Sequence, residues 1–271
     1  MLAIKNNLMA ENAARHLGMS YGALSKSIER LSSGLRINSA KDDAAGLAVR
    51  ELMRADIAVL KQGTRNANDA ISMLQTMEGA MAVVDNALIR MKELAEQAAT
   101  GSYSDEQRRI MNNEFQQMRA EINRIARSAN FNSINLLNTD SATAATVHFG
   151  SDETISVRSV DVQSSALGLV DSVKISSQDS AISAMGTLTN AIITKDSARA
   201  MFGYMMNRLE STSEVLNIQT ENMMASESRV SDVDVATEMA SLTRNQVLAQ
   251  AGVSMLSQAN MMPQMALTLL R

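Results

Sequence analysis

The sequence predicts a mainly α fold: a long antiparallel helical rod with terminal coiled-coil helices and a small central β-hairpin. Three observations carry this prediction. Apolar residues recur at heptad spacing over most of the chain. Turn formers are scarce, with 12 Gly and a single Pro among 271 residues. Aromatic residues make up 3% of a chain that is 45% hydrophobic, so the core is aliphatic, built from Leu, Ile, Val, Ala and 21 Met. Gly and Pro together supply roughly 12% of an average chain. A loop-rich enzyme or a β-sandwich, which needs turns throughout, is therefore disfavoured. Long packed helices suit this composition, which leaves few large side chains to line a cofactor pocket.

The first helix rests on Leu17, Tyr21, Leu24, Ile28, Leu31 and Leu35, whose steps alternate between four and three. That spacing is an a/d seam for a partner helix. Gly34 and Arg36-Ile37-Asn38 interrupt it, and Ser39 with Asp42 predicts a capping box that restarts a helix at about residue 40. The second helix carries two rows without a slip. One is Leu60, Ala67, Leu74, Met81, Leu88 and Ala95; the other is Gly63, Ala70, Met77, Val84, Met91 and Ala98. Gly101 is its stop, and Ser104 with Gln107 predicts a new capping box. An unbroken helix from residue 42 to residue 100 would run about 90 Å, too long for a compact domain, hence the expected rod.

A third helix follows, with Met111, Met118 and Ile125 interleaved with Phe115, Ile122 and Ala129. It runs into an Asn-rich stretch, 130–138, read as an ordered turn region because Asn competes for helical hydrogen bonds and tolerates left-handed backbone. Segment 139–178 changes period. Val147 and Phe149 flank His148, and Ile155 and Val157 flank Ser156, which predicts a hairpin and is the one strand signal in the chain. Helix resumes near Asp179, on a row of Leu188, Phe202, Leu209, Leu216, Met223 and Val230 that Lys195 alone interrupts. Ser231-Asp232-Val233-Asp234 predicts another cap. The last helix has Leu248, Met255, Met262 and Leu269 on one row and Gly252, Ala259 and Ala266 on another. The small row permits close approach of a neighbour, and Pro263 should bend or loosen the end. The near-palindromic element order lets the two ends pair antiparallel. Each terminal stripe is more than one partner can bury, so the termini are expected to be disordered in the monomer and ordered by assembly.

Several function classes are disfavoured. Charge is balanced at −4 with both signs interspersed, so no basic footprint for nucleic acid is visible. Cys is absent, which removes disulfides, thiolate zinc sites and cysteine nucleophiles. No apolar run approaches the roughly 20 residues needed to span a bilayer. Residues 1–7 lack a signal-peptide apolar segment, so export by the general secretory route is not expected. His16 and His148 lie far apart in unlike elements, and Asp42/Asp43 and Asp232/Asp234 sit where carboxylates meet helix N-termini. No phosphate loop, nucleophile elbow or zinc-protease pattern occurs. No enzyme, cofactor or metal site is expected, and the Met stripe reads as adaptable packing. Arg90, Lys92, Glu93 and Gln97 beside Leu88 and Leu94, with Glu114 beside Phe115, read on physics alone as a solvated, salt-bridged face.

The run Leu31-Ser32-Ser33-Gly34-Leu35-Arg36-Ile37-Asn38-Ser39-Ala40-Lys41-Asp42-Asp43-Ala44-Ala45-Gly46-Leu47 resembles bacterial flagellin. So do Asn66-Ala67-Asn68-Asp69-Ala70, Phe131-Asn132, Gln258-Ala259-Asn260, Pro263-Gln264 and Leu269-Leu270-Arg271. The resemblance covers residues 1–138 and 180–271, in order, and matches a minimal form without extra outer domains. It implies a non-enzymatic subunit that self-assembles into the flagellar filament used for swimming motility. The subunit would be extracellular, secreted unfolded through the flagellar type III export apparatus with an export chaperone, and added under the filament cap. It implies that residues 1–40 and 235–271 line the inner tube, with 41–234, including the hairpin of 139–178, forming the outer-tube rod. The self-assembly residues are then Leu17, Tyr21, Leu24, Ile28, Leu31, Leu35, Leu248, Met255, Met262 and Leu269. By the same resemblance, Arg90, Leu94 and Glu114, with Glu93 and Gln97 nearby, match the contacts of Toll-like receptor 5. A departure falls at Ile89, where recognised members usually carry Gln. A hook–filament junction protein shares the terminal pattern and is the alternative.

Overall fold

A computed structural model of the chain describes residues 6–138, 145–150 and 153–269, except for the side chains of 263–264 and 266–269. It is mainly α, as expected. The helices are α1 (Leu8–Ser33), α2 (Ala44–Ala99), α3 (Asp105–Ser128), α4 (Gln178–Ser231) and α5 (Val235–Leu269). Between α3 and α4 lie the strands β1 (Asn130–Phe131), β2 (Ile134–Asn135), β3 (Ala145–His148) and β4 (Thr154–Val157). Two compact units result: a terminal unit of residues 1–57 and 221–271, and a central unit of residues 58–220.

In the terminal unit α1 and α5 run antiparallel. Arg30 reaches Glu238 at 3.5 Å, and the Asn7 amide donates to the Ala259 carbonyl at 2.8 Å. Asn7 also caps α1 by accepting from the Ala10 N–H. Gly34, at φ 73°, closes α1 with its N–H on the Arg30 carbonyl, a left-handed cap that favours Gly. The start of α2 differs from the expected Ser39–Asp42 box. Asp43 is the cap, accepting from the Gly46 N–H at 2.9 Å, and the helix begins at Ala44. Ser39 instead donates its hydroxyl and N–H to Asp42 in the turn before it. Asp234 caps α5, accepting from the Ala236 and Thr237 N–H groups and the Thr237 hydroxyl. That carboxyl is held below its usual range, first by the hydroxyl and then by the two N–H groups. The backbone of α5 continues through Pro263 to Leu269.

In the central unit α2 packs antiparallel to α3 and α4 over an aliphatic core. Leu74, Met77, Met81, Leu88, Met91, Phe115, Ile122, Leu188, Phe202 and Leu209 are all fully buried. Within the central unit, both heptad rows of α2 and the interrupted row of α4 from Leu188 to Leu216 thus face inward. Lys195, the interruption, is itself buried, with its ammonium on Asp85 of α2 and on Asp196. One helical turn away Arg199 reaches Glu78 at 3.2 Å. The expected box at Ser104–Gln107 is present in both directions. The buried Arg108 donates from Nε to the Ala98 carbonyl and from an Nη to the Thr100 carbonyl, satisfying the otherwise unpaired end of α2.

The expected hairpin is β3–β4, with Val147 opposite Ile155 and Ala145 opposite Val157. Val147, Phe149, Ile155 and Val157 are buried. A second ladder corrects the expectation of one strand region. Within the Asn-rich turn, β1 and β2 pair across Asn132 and Ser133, at φ 48° and 66°. Two positive φ values in succession are what a tight two-residue hairpin turn requires, and two-residue strands are too short to show alternation. Residues 158–177 form no strand. They are pinned by one polar stripe of α3: Asn123 accepts from the Ser164 N–H, Asn112 accepts from the Ile175 N–H, and Gln116 donates to the Val173 carbonyl.

Candidate assembly and recognition surfaces

The terminal pair separates the apolar residues of its helices into an inward and an outward set. On α1 the shielded positions include Ala13, Leu17, Ser20, Leu24, Ser27 and Leu31, stepping alternately by four and three. On α5 they include Leu242, Asn245, Ala249, Gly252, Leu256 and Ala259. Small residues alternate with Leu along this seam, and a Cβ placed on Gly252 would lie 3.1 Å from the Leu17 side chain. Gly252 and Ala259 of the small row predicted on α5 therefore face α1, while the Ala266 side chain lies outside the described residues. Of the residues expected to share one seam, Leu17, Leu24, Leu31, Leu35 and Met262 are half-buried. Tyr21 (52%), Ile28 (53%), Leu248 (49%) and Met255 (63%) are exposed. The seam toward α5 is thus rotated from the predicted one, because Ser20 and Ser27, polar but small, allow closer approach than Tyr21 and Ile28 would. The Leu269 side chain lies outside the described residues.

The segments joining these helices also pair. Leu35 bridges Asp232 antiparallel, with the Arg36 N–H on the Ser231 carbonyl at 2.6 Å and the Val233 N–H on the Gly34 carbonyl at 3.0 Å. Arg36 adds a bond from its guanidinium to the Val230 carbonyl. The buried Arg50 donates to the Ile37 carbonyl at 2.7 Å, and Ile37 is 2% exposed. Lys26 lies 2.7 Å from Asp42. That ammonium, with the Ser39 hydroxyl and the Ser39 and Asn38 N–H groups, holds the Asp42 carboxyl well below the usual carboxylate range. Sequence reasoning treated 36–38 as an interruption and missed this clamp. A lone Ile between polar neighbours was its one signal.

In the central unit Arg90 bridges α2 to α3. Its guanidinium lies 2.8 Å from Glu114 and 3.1 Å from Glu93, and the two carboxylates, Glu114 foremost, raise its pKa. Gln97 donates to the Tyr103 hydroxyl at 3.0 Å. Arg90, Glu93, Gln97 and Glu114 thus form one accessible polar surface. Leu94 does not join it: at 2% exposure it lies under that surface, in the core. Ile89 is exposed beside Arg90.

His16 and His148 are exposed and lie in different units. Among the described residues no group of three or more His, Cys, Asp or Glu is placed to hold a metal, and no helix is long and apolar enough to cross a membrane.

Comparison with known proteins agrees with this layout. Residues 4–142 match the bacterial flagellin N-terminal helical region, and residues 182–270 match the bacterial flagellin C-terminal helical region. The chain is 42% identical to a flagellin of Halalkalibacterium halodurans and 40% identical to the flagellar filament 33 kDa core protein of Treponema phagedenis, in both cases over the full length of both chains. The crystal structure of Bacillus cereus flagellin superposes with a TM-score of 0.52 at 28% identity, over 60% of this chain and 94% of that one. The family models bracket the central hairpin and loop. The chain therefore belongs to the bacterial flagellin family, structural filament proteins rather than enzymes.

Proposed function

We propose that this chain polymerises through the outward rows of α1 and α5, and that the terminal unit is where neighbouring copies bury one another. The observation that carries this is the exposure of Tyr21, Ile28, Leu248 and Met255, apolar residues at heptad spacing on helices whose small faces are already paired. In water such surface is costly; against copies of itself it is shielded. A contact of unlike patches repeated by rotation does not close, and so builds a helical filament. Residues 1–40 and 235–271 are proposed to line the inner tube, with 41–234 outside. Fixing side chains and the chain ends on addition would offset part of the gain from burial and keep free subunits from nucleating. Export unfolded through the flagellar apparatus with a chaperone, addition under a cap and an extracellular location fit the same reading. The test is seeded growth followed by electron microscopy. Wild type should give long filaments and Leu248→Glu should give none. Short rings in place of filaments would favour the hook–filament junction alternative, and unimpaired growth of the variant would refute the surface.

A second surface is proposed for recognition of the monomer by Toll-like receptor 5. It is supported by the clustering of Arg90, Glu93, Gln97 and Glu114 on adjacent helices, with Leu94 as the buried support beneath them. A receptor reporter assay should respond to wild-type monomer and lose most of its response with Arg90→Ala. Silence toward wild type would remove the proposal.

A further inference from the structure

The exposed methionines are distributed unevenly. Met9 (69%), Met19 (61%), Met224 (40%), Met239 (46%), Met255 (63%), Met261 (46%) and Met265 (48%) are open to solvent, and every exposed methionine among the described residues lies in the terminal unit. In the central unit the large exposed apolar residues are Val, Ile and one Tyr, such as Val83, Ile110, Ile193 and Tyr204. The methionines there are buried or half-buried, with Met77, Met81 and Met91 at 0%. Unbranched Met forms exposed helix better than β-branched Val or Ile and packs adaptably, and the split carries a chemical difference as well. Chemically the two sets differ sharply. A thioether sulfur has a lone pair that attacks a peroxide oxygen, whereas Val and Ile have no such site.

We propose that the terminal unit is an oxidant-gated assembly surface: two-electron oxidation of its exposed methionines by a peroxide blocks subunit addition and leaves the central unit folded. This rests on the reading that neighbouring copies cover α1 and α5. In the step, sulfur bonds to one peroxide oxygen as the O–O bond breaks. The thioether becomes a sulfoxide, and hydrogen peroxide is reduced to water. The sulfoxide oxygen is a strong acceptor on a side chain that assembly must bury, and an acceptor buried without a donor opposes that burial. Met77, Met81 and Met91 are shielded by the core, so the helical scaffold of residues 58–220 is spared. Oxidation therefore acts on the free subunit, and addition to a filament protects the same residues.

The experiment uses the full chain. Monomer is exposed to graded hydrogen peroxide, sites of oxygen gain are followed by peptide mass spectrometry, and extension of sheared filament seeds is followed by light scattering. The seven exposed methionines should gain oxygen before Met77, Met81 and Met91, with extension falling at least about tenfold as they do. Sulfoxide reductases acting on both epimers should restore extension. A variant with Leu at those seven positions should extend seeds equally with and without peroxide. If that variant does not extend seeds untreated, the reductase arm decides. Unchanged extension after complete oxidation of the seven sites, or no recovery after their reduction, would overturn the proposal, as would equal oxidation rates at these sites in monomer and filament. Untreated wild type that fails to extend seeds would instead refute the assembly reading itself.

Discussion

Lys195 offers a sharp test of how the central unit is held in register. Its side chain is 2% exposed on the inward row of α4, and its ammonium meets Asp85, which is 26% exposed, and Asp196, which is 59% exposed. Replacing Lys195 with Met keeps the length and restores the apolar row, but strands the Asp85 carboxylate beside a dry seam. Removing one partner of a buried pair costs about 3–5 kcal/mol. Asp85 keeps partial access to water, so about 2–3 kcal/mol is expected. For a unit of this size that lowers the midpoint of thermal unfolding by about 4–12 °C. The double variant Lys195→Met/Asp85→Leu removes the stranded charge and should return to within about 1 kcal/mol of wild type, since a packed apolar pair often replaces an ion pair without loss. Thermal and urea unfolding of monomer, followed by circular dichroism, measure both. A single variant as stable as wild type, or a double variant as weak as the single, would refute the stranded-charge account.

Four further outcomes are expected. Gly63→Ala should destabilise by about 1–3 kcal/mol, because a Cβ there would sit 2.6 Å from the Phe149 carbonyl oxygen and push the hairpin off α2; Gly79→Ala, with open space around it, should stabilise by about 0.5–1 kcal/mol. Urea midpoints compare the two. Asp42 and Asp234 both titrate below the ordinary carboxylate value in the folded chain. Their stabilisation is therefore complete above the unfolded value of about 3.9 and is lost as pH falls through the lower folded values. Protection factors against hydrogen exchange at residues 34–46 and 232–240 should stay constant from neutral pH down to that point and fall below it; in Lys26→Met, protection at 34–46 should be lower at neutral pH and fall less with acid. Deleting residues 236–271 should leave a helical monomer that does not polymerise; filaments by electron microscopy would contradict this. Arg108→Leu should fray the end of α2, seen as faster exchange at residues 96–100, because the Ala98 and Thr100 carbonyls lose their donor.

The sequence by itself determined the helices and the inward rows of α2 and α4. A seven-residue apolar repeat has one stable solution, burial along a helix face, and caps such as Ser104–Gln107 are local hydrogen bonds within four residues. The strands β3 and β4 were legible for the same reason, from period-two alternation. Tertiary structure decided which apolar face of α1 meets α5, because heptad spacing names candidate rows but not which row a partner's small residues admit. It decided that Leu94 lies beneath the Arg90–Glu114 surface, and that Lys195 completes a seam it seemed to break. It also decided the Leu35–Asp232 bridge, a contact between residues 197 positions apart. Such long-range pairings depend on where whole helices come to rest, and no short window of sequence carries that information.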